Sequence, residues 1–101
     1  MFKPIKFIVD AVLWFDRVNG NTYHSTRIIR CKDGDVLHVP FQYGYGDHYR
    51  QTSKEAMLKA RWIPKKYKDK LYSYEMENNY PIYYALRYDT KKMCKEHGKL
   101  D

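Results

Sequence analysis

Hydrophobic and polar positions alternate along the first part of the chain. Across Ile5–Phe15 every odd position is apolar, whereas the even positions are mixed. A period of two over this length predicts a long strand with one buried face. The pairs Asn19-Gly20 and Asp33-Gly34 both suit tight hairpin turns, because their residues tolerate a positive φ. The pattern therefore predicts three antiparallel strands, with the second over 22–31 and the third over 36–41.

A helix is expected to cover one face of this sheet. Pro40, near the end of the third strand, indicates an edge position, since proline has no N–H to donate to a neighbouring strand. The segment Thr52–Trp62 begins with a capping-box pattern and is followed by Pro64, so it predicts a helix. Asp47 is an alternative N-cap. The helix is expected to pack on the odd-numbered face of the first strand. The side chains that it should bury are Phe7, Val9, Leu13 and Phe15.

The last third of the chain predicts two more elements. Alternation over Pro81–Asp89 favours a fourth strand. Thr90 is expected to cap a short helix over Lys91–His97, which Gly98 would end. Residues 65–80 show no regular pattern. The sequence thus predicts an α+β fold: an antiparallel β-meander of three to four strands with one main helix on one face and a short C-terminal helix. A length of 101 residues predicts a single domain over 1–101.

The segment Tyr43-Gly44-Tyr45-Gly46 lies between the third strand and the helix. It lacks the third glycine of a dinucleotide fingerprint and the Lys-Ser/Thr pair of a P-loop. Asp47 would repel an anion from the following helix N-terminus. We therefore predict a turn in which at least one glycine has a positive φ. The alternative is that the neighbouring tyrosines form an exposed aromatic cluster for a partner.

Tyrosine dominates the aromatic composition. Eleven tyrosines supply most of an aromatic content of 17%. A tyrosine ring is apolar but carries a polar tip, so it can pack at the edge of a core or serve in binding. The residues predicted to bind a partner are Tyr43, Tyr45, Tyr49 and Trp62.

Positive charge is concentrated in the second half of the chain. The net charge is +7, of which residues 51–101 carry +5. Between Arg61 and Lys70, five basic residues alternate with two aromatic ones. Lysines that contact phosphates and rings that stack on bases would suit a polyanion. The residues predicted to contact nucleic acid are Arg61, Lys65, Lys66, Lys68 and Lys70.

The sequence offers little material for catalysis. Two remote cysteines and four scattered histidines do not have the spacing of a metal site, so neither a metal nor a cofactor is expected. The candidates for a base and a hydroxyl nucleophile are His24-Ser25, His38 and His48. His24 and His38 could share a sheet face near Tyr23 or Thr26, but a catalytic triad also needs an orienting group and an oxyanion site. A non-enzymatic protein is therefore expected. Remote thiols and the lack of a membrane-length apolar run favour the cytoplasm.

A resemblance adds to this interpretation. The hairpin motif Asn19–Ser25 and the loop Tyr43–Gly46, followed by Tyr49, Gln51 and Thr52, resemble a pattern in small bacteriophage proteins. The resemblance covers the middle of the chain and implies a phage product that acts in the host bacterial cytoplasm. It carries no activity and no catalytic residues.

Three functions remain as hypotheses, of which the first is preferred and the second is the main alternative. The first is a phage accessory protein, such as an early-expressed inhibitor or host-takeover factor, that binds a host protein. The second is a small basic protein that binds nucleic acid. The third is a binder of a nucleotide-like small molecule in the cleft of a homodimer, beside the tyrosines. No membrane partner is expected.

Overall fold

Four strands and three α-helices build the part of the chain that the structure describes. A computed structural model describes residues 4–99. The elements in chain order are β1 (Phe7–Asp16), β2 (Asn21–Arg30), β3 (Val36–Tyr43), α1 (His48–Lys59), α2 (Leu71–Glu77), β4 (Ile82–Tyr88) and α3 (Lys91–His97). A short 3₁₀ turn over Lys65–Tyr67 lies between α1 and α2.

The strands form one sheet in the order β3-β2-β1-β4. The first three strands pair antiparallel, so the predicted meander is confirmed, and β3 is an edge strand as Pro40 indicated. The fourth strand runs parallel to β1, with Phe7 opposite Ile82. The sheet is therefore mixed. Parallel pairing requires a long crossover, and the segment that contains α1 and α2 provides it.

The helix α1 packs on the odd-numbered face of β1, as predicted. Phe7, Val9 and Leu13 are buried in a core that includes Met57 of α1. Phe15 is exposed, so the prediction that it is buried was wrong. The reason is its position, because Leu13 is the last residue of β1 that pairs with β4.

The helix α1 begins earlier than the capping-box pattern indicated. Its first residue is His48, with Asp47 at the N-cap position, and its last is Lys59. Thr52 therefore lies inside the helix, where its side chain is buried beside His24 at 2.9 Å. A hydroxyl that can bond a neighbouring group explains why a residue typical of helix caps is tolerated here.

The short helix α3 covers part of the opposite face of the sheet. The predicted cap is confirmed, because the Thr90 hydroxyl accepts a hydrogen bond from the Met93 N–H at 3.2 Å. Cys94 is fully buried, and its thiol donates to the Val12 carbonyl at 3.3 Å. The Ser25 hydroxyl donates to the Cys94 carbonyl at 2.6 Å. Burial raises the pKa of the Cys94 thiol, which keeps it in the neutral form that suits this packing.

Gly98 ends α3 at a point of close backbone approach. A Cβ atom there would lie 2.8 Å from Ser25 Cβ and 2.9 Å from the Val39 carbonyl oxygen. Because φ at Gly98 is −87°, this glycine is required by space and not by backbone conformation. It allows α3 to lie directly on β2 and β3.

Residues 65–80, for which the sequence predicted no helix or strand, pack against the core. Tyr67, Leu71 and Tyr74 are buried, and α2 carries Glu75 to the Lys54 side chain of α1. The Lys54 Nζ to Glu75 Oε2 distance is 2.7 Å in a largely buried ion pair. These contacts fix the crossover between the meander and β4.

Candidate binding surface

A β-bulge in β3 brings aromatic side chains together on the face that α3 partly covers. The pairing of β2 with β3 shifts between His24 and Thr26, so that Pro40 and Phe41 both oppose Ser25. A bulge inserts one residue and thereby moves the following side chains to the other face of the strand. Odd-numbered residues before the bulge face α1, whereas Phe41 and Tyr43 after it face the α3 side.

We use the name aromatic face for a surface that crosses three adjacent strands and the following loop. It consists of Trp14, Tyr23, Phe41, Tyr43 and Tyr45. Trp14 of β1 lies directly opposite Tyr23 of β2, which lies opposite Tyr43 of β3. Cross-strand pairs of this kind place side chains within contact distance on one side of a sheet.

The rings of the aromatic face contact one another in sequence. The Tyr23 and Phe41 rings are stacked, with centroids 5.0 Å apart and an angle of 5° between planes. Trp14 lies 5.6 Å from Tyr23, and Tyr43 meets both Tyr23 and Tyr45 edge to face. Trp14, Tyr23 and Phe41 are half-buried, whereas Tyr43 and Tyr45 are exposed. The two tyrosines therefore present the most accessible part of the cluster.

Two lysines of α3 flank the aromatic face. Lys91 Nζ lies 5.3 Å from the centre of the Trp14 ring, and Lys95 Nζ lies 5.5 Å from the centre of the Phe41 ring. Both distances are within the range of cation–π attraction. Because the two lysines are four residues apart, one helix presents both on the same side. The surface thus combines rings with positive charge.

The loop that carries Tyr43 and Tyr45 is held from beneath by His24. Its Nδ1 lies 3.2 Å from the Gly44 carbonyl and its Nε2 lies 2.9 Å from the Thr52 hydroxyl. Donation from Nδ1–H to the carbonyl requires the Nδ1-protonated tautomer when the ring is neutral. Burial lowers the pKa of His24 below 6.5, with a smaller opposing contribution from the Gly44 hydrogen bond.

Both glycines of this loop have a positive φ, as predicted. The value is +65° at Gly46 and +155° at Gly44. Gly44 is also buried, and a Cβ atom there would collide with the rings of His48 and His24. The prediction of a turn is therefore confirmed, and its shape depends on the absence of a side chain at Gly44.

Two of the four residues predicted to bind a partner lie elsewhere. Tyr49 is only 2% exposed and packs in the core against Tyr84, so it cannot contact a partner, which corrects that prediction. Trp62 lies at the opposite end of the sheet, where it stacks on Phe7 beneath the Arg30 guanidinium. The structure therefore brings Tyr43 and Tyr45 together but separates them from Trp62.

The basic segment near the end of α1 exposes cations but not rings. Its exposed basic residues are Arg61, Lys65, Lys66, Lys68 and Lys70. The Tyr67 ring between them is buried against Tyr74, and Trp62 is half-buried. The aromatic residues of this segment therefore anchor it to the core. Stacking on bases would require exposed rings, which this segment does not offer.

The histidines do not assemble with Ser25. His24 faces α1, whereas His38 lies opposite Arg27 on the other face of the sheet, so the expectation of a shared face was wrong. Ser25 points away from His24 and donates its hydroxyl hydrogen to Cys94. Among residues 4–99, no group of three or more His, Cys, Asp or Glu side chains could hold a metal ion. No helix in the same range is long and apolar enough to cross a membrane.

Sequence reasoning missed three members of the aromatic face, namely Trp14, Tyr23 and Phe41. The alternation in β1 already placed Trp14 on the face opposite to the core, and the hairpin register then placed Tyr23 beside it. Phe41 required knowledge of the bulge, for which Pro40 was the only local signal.

Comparisons with models of known protein families, with curated proteins and with solved structures found no match.

Proposed function

We propose that this protein binds single-stranded nucleic acid across the aromatic face. The observation that supports the proposal is the continuous contact of five aromatic side chains with two lysine ammonium groups at their border. Rings provide stacking partners for bases, and ammonium groups provide partners for phosphates. A net charge of +7 would attract a polyanion to the molecule from a distance.

The shape of the surface favours a single strand over a duplex. Three adjacent strands span about 10 Å, since neighbouring strands are about 4.8 Å apart. Rings on such a sheet can stack only on bases that are unpaired and turned outward. The bases of a duplex are stacked on one another and offer only their edges. Recognition through ring stacking is also tolerant of sequence.

The basic segment contributes to this function in a different way. Its cations are exposed but its rings are packed inward, so it would add attraction that depends on salt without stacking. Arg61, Lys65, Lys66, Lys68 and Lys70 are thus proposed to steer nucleic acid towards the protein or to hold a distant part of the strand.

A host protein remains the alternative occupant of the aromatic face. Tyrosine and tryptophan often dominate the energetics of protein interfaces, and the phage resemblance points to action in a host cytoplasm. The lysines at the border of the rings favour a polyanion instead. A nucleotide-sized ligand is a third hypothesis; a hollow of about 350 Å³ between Tyr43, Tyr45 and His48 offers it a place.

The proposal is tested by fluorescence anisotropy with labelled oligonucleotides of about 12 residues, a length within the usual site sizes. Tyr43→Ala and Tyr45→Ala are each expected to weaken single-strand binding by about 1–3 kcal/mol, since each removes one stacking ring. Tyr72→Ala is the matched control, because Tyr72 on α2 is 65% exposed and Tyr45 is 68% exposed. It should leave the affinity unchanged.

Charge is tested separately by titration at salt concentrations from about 50 to 200 mM. Lys91→Gln and Lys95→Gln are each expected to reduce the slope of log affinity against log salt by about one unit. The proposal would be refuted if Tyr45→Ala and Tyr72→Ala lowered the affinity for single strands equally, or if the protein bound a duplex more tightly than a single strand. Retention of a protein from nuclease-treated bacterial lysate, abolished by Tyr43→Ala, would assign the aromatic face to a protein partner instead.

A further inference from the structure

The two edges of the sheet differ in how they are protected. The outer edge of β3 is interrupted by Pro40 and by the bulge, which both hinder the addition of another strand. The outer edge of β4 has neither feature, since Ile82–Tyr88 pairs with β1 in an unbroken parallel register. Of the two edge strands within residues 4–99, β4 is therefore the one that offers a regular row of backbone donors and acceptors.

The exposed side chains along β4 are mainly apolar. Tyr83, Leu86 and Tyr88 are all exposed, although the strand belongs to the sheet that forms the core. Phe15 of β1 is also exposed and shares a surface hollow with Tyr88. Leu86 and Tyr88 lie on the face of the sheet that α1 covers, whereas Tyr83 lies on the other face. Large apolar side chains that are exposed at an open edge are typical of an interaction surface.

The charge along β4 is locally balanced. Arg87 is the only charged residue of the strand. Its guanidinium lies 3.5 Å from an Asp10 carboxylate oxygen and 3.7 Å from one of Asp89. A molecule with a net charge of +7 repels its own copies over most of its surface. The edge of β4 is a place where that repulsion is weak, whereas a polyanion would find little attraction there.

We propose that a second copy of this chain pairs with the outer edge of β4 through its own β4. A strand that pairs with its copy across a two-fold axis is necessarily antiparallel, because each residue i that contacts residue j must be matched by j contacting i. The product is a continuous sheet of eight strands. The backbone hydrogen bonds supply affinity, and burial of Tyr83, Leu86 and Tyr88 adds apolar contact.

This pairing has a consequence for the aromatic face. The two-fold axis of a continuous sheet is perpendicular to the sheet, so each face of one copy continues into the same face of the other. Both aromatic faces would then lie on the same side of the dimer. Two linked sites on one side bind a long strand more tightly than either site alone. The dimer itself does not depend on nucleic acid, so it can be tested without it.

Sedimentation equilibrium of the full chain over a range of protein concentrations tests the proposal. The wild-type protein is expected to reach twice the chain mass. Leu86→Lys should raise the dimer dissociation constant at least tenfold, since an exposed lysine on an edge strand opposes strand addition. Val36→Lys is the matched control, because Val36 lies on the other edge strand and is 44% exposed, against 48% for Leu86. It should leave the dissociation constant unchanged.

Hydrogen exchange provides a second measurement that requires no substitution. Amides of β4 that point away from β1 are expected to become protected as the protein concentration rises, whereas those of β3 should not change. A monomer at every concentration, or equal weakening by Val36→Lys and Leu86→Lys, would overturn the proposal. Protection of β4 only after addition of bacterial lysate would also overturn it, because the occupant would then be another protein.

Discussion

Replacement of Gly98 by alanine tests whether close backbone contact holds α3 on the sheet. The added Cβ would lie 2.8 Å from Ser25 Cβ and 2.9 Å from the Val39 carbonyl oxygen. Carbon–carbon contacts in packed proteins are about 3.5–4.0 Å. Because alanine readily adopts a φ of −87°, the substitution introduces no backbone strain of its own. Its cost is therefore steric.

The magnitude follows from which atoms would have to move. Two of the three closest atoms, the Val39 carbonyl oxygen and the Phe41 nitrogen, belong to the backbone of β3 and cannot rotate away. Overpacking of this kind costs about 1–3 kcal/mol. For a domain of this size, a loss of about 2 kcal/mol lowers the Tm by about 8–16 °C. If α3 is displaced, the Cys94 N–H, which donates to the Thr90 carbonyl at 2.9 Å, should also exchange faster.

The assay combines thermal unfolding by circular dichroism with amide hydrogen exchange in α3. Gly34→Ala is the control, because Gly34 has a φ of +78° and open space around its Cβ position. That variant should lose about 1–2 kcal/mol through backbone strain but keep the protection of α3. The steric argument is refuted if Gly98→Ala has the same Tm as the wild-type protein. It is also refuted if the amides of α3 lose equal protection from exchange in both variants.

Two further predictions concern buried polar groups. Because burial lowers the pKa of His24 below 6.5, its neutral form stabilises the fold fully above pH 6.5, and this contribution is lost as the pH falls through the folded-state pKa. In urea unfolding, the free energy of unfolding should fall between pH 7.5 and 5, by at most about 1.4 kcal/mol per pH unit from this group. If the free energy falls just as steeply in His24→Gln, other groups cause the decline. Glu75→Gln leaves the buried Lys54 ammonium without its opposing charge and is expected to lower the free energy of unfolding in urea by about 3–5 kcal/mol, whereas the double variant Lys54→Met, Glu75→Leu should recover most of the loss. Equal instability of the single and double variants would contradict this explanation.

The parts of the fold that the sequence predicted depend on local signals. The turns at Gly20 and Gly34 have φ values of +70° and +78°, as hairpin chemistry requires. The α3 cap at Thr90 is likewise decided by its neighbours in the chain. Each of these features needs only a few consecutive residues, which is why a single sequence is sufficient to predict it.

The candidate site was less predictable because its geometry depends on distant contacts. The bulge beside Pro40 decides which face of the sheet Phe41 and Tyr43 occupy. A shift of the strand register by one residue reverses the face of every later side chain, and the alternation of residue types along the chain does not reveal such a shift. The burial of Tyr49 depends on the helix starting at His48 and not at Thr52. The sequence therefore identified the loop tyrosines but not the rings beside which they lie.

The parallel pairing of β1 with β4 also constrains the order of folding. Phe7 pairs with Ile82, a residue 75 positions later in the chain, whereas Arg30, its partner on the other side, is 23 positions away. Closing a longer loop costs more entropy, and contacts between remote residues generally slow folding. During synthesis the three-strand meander can form before β4 leaves the ribosome. One edge of β1 thus stays open until β4 has been made, and this is the interval in which a newly made molecule is most exposed to wrong pairing.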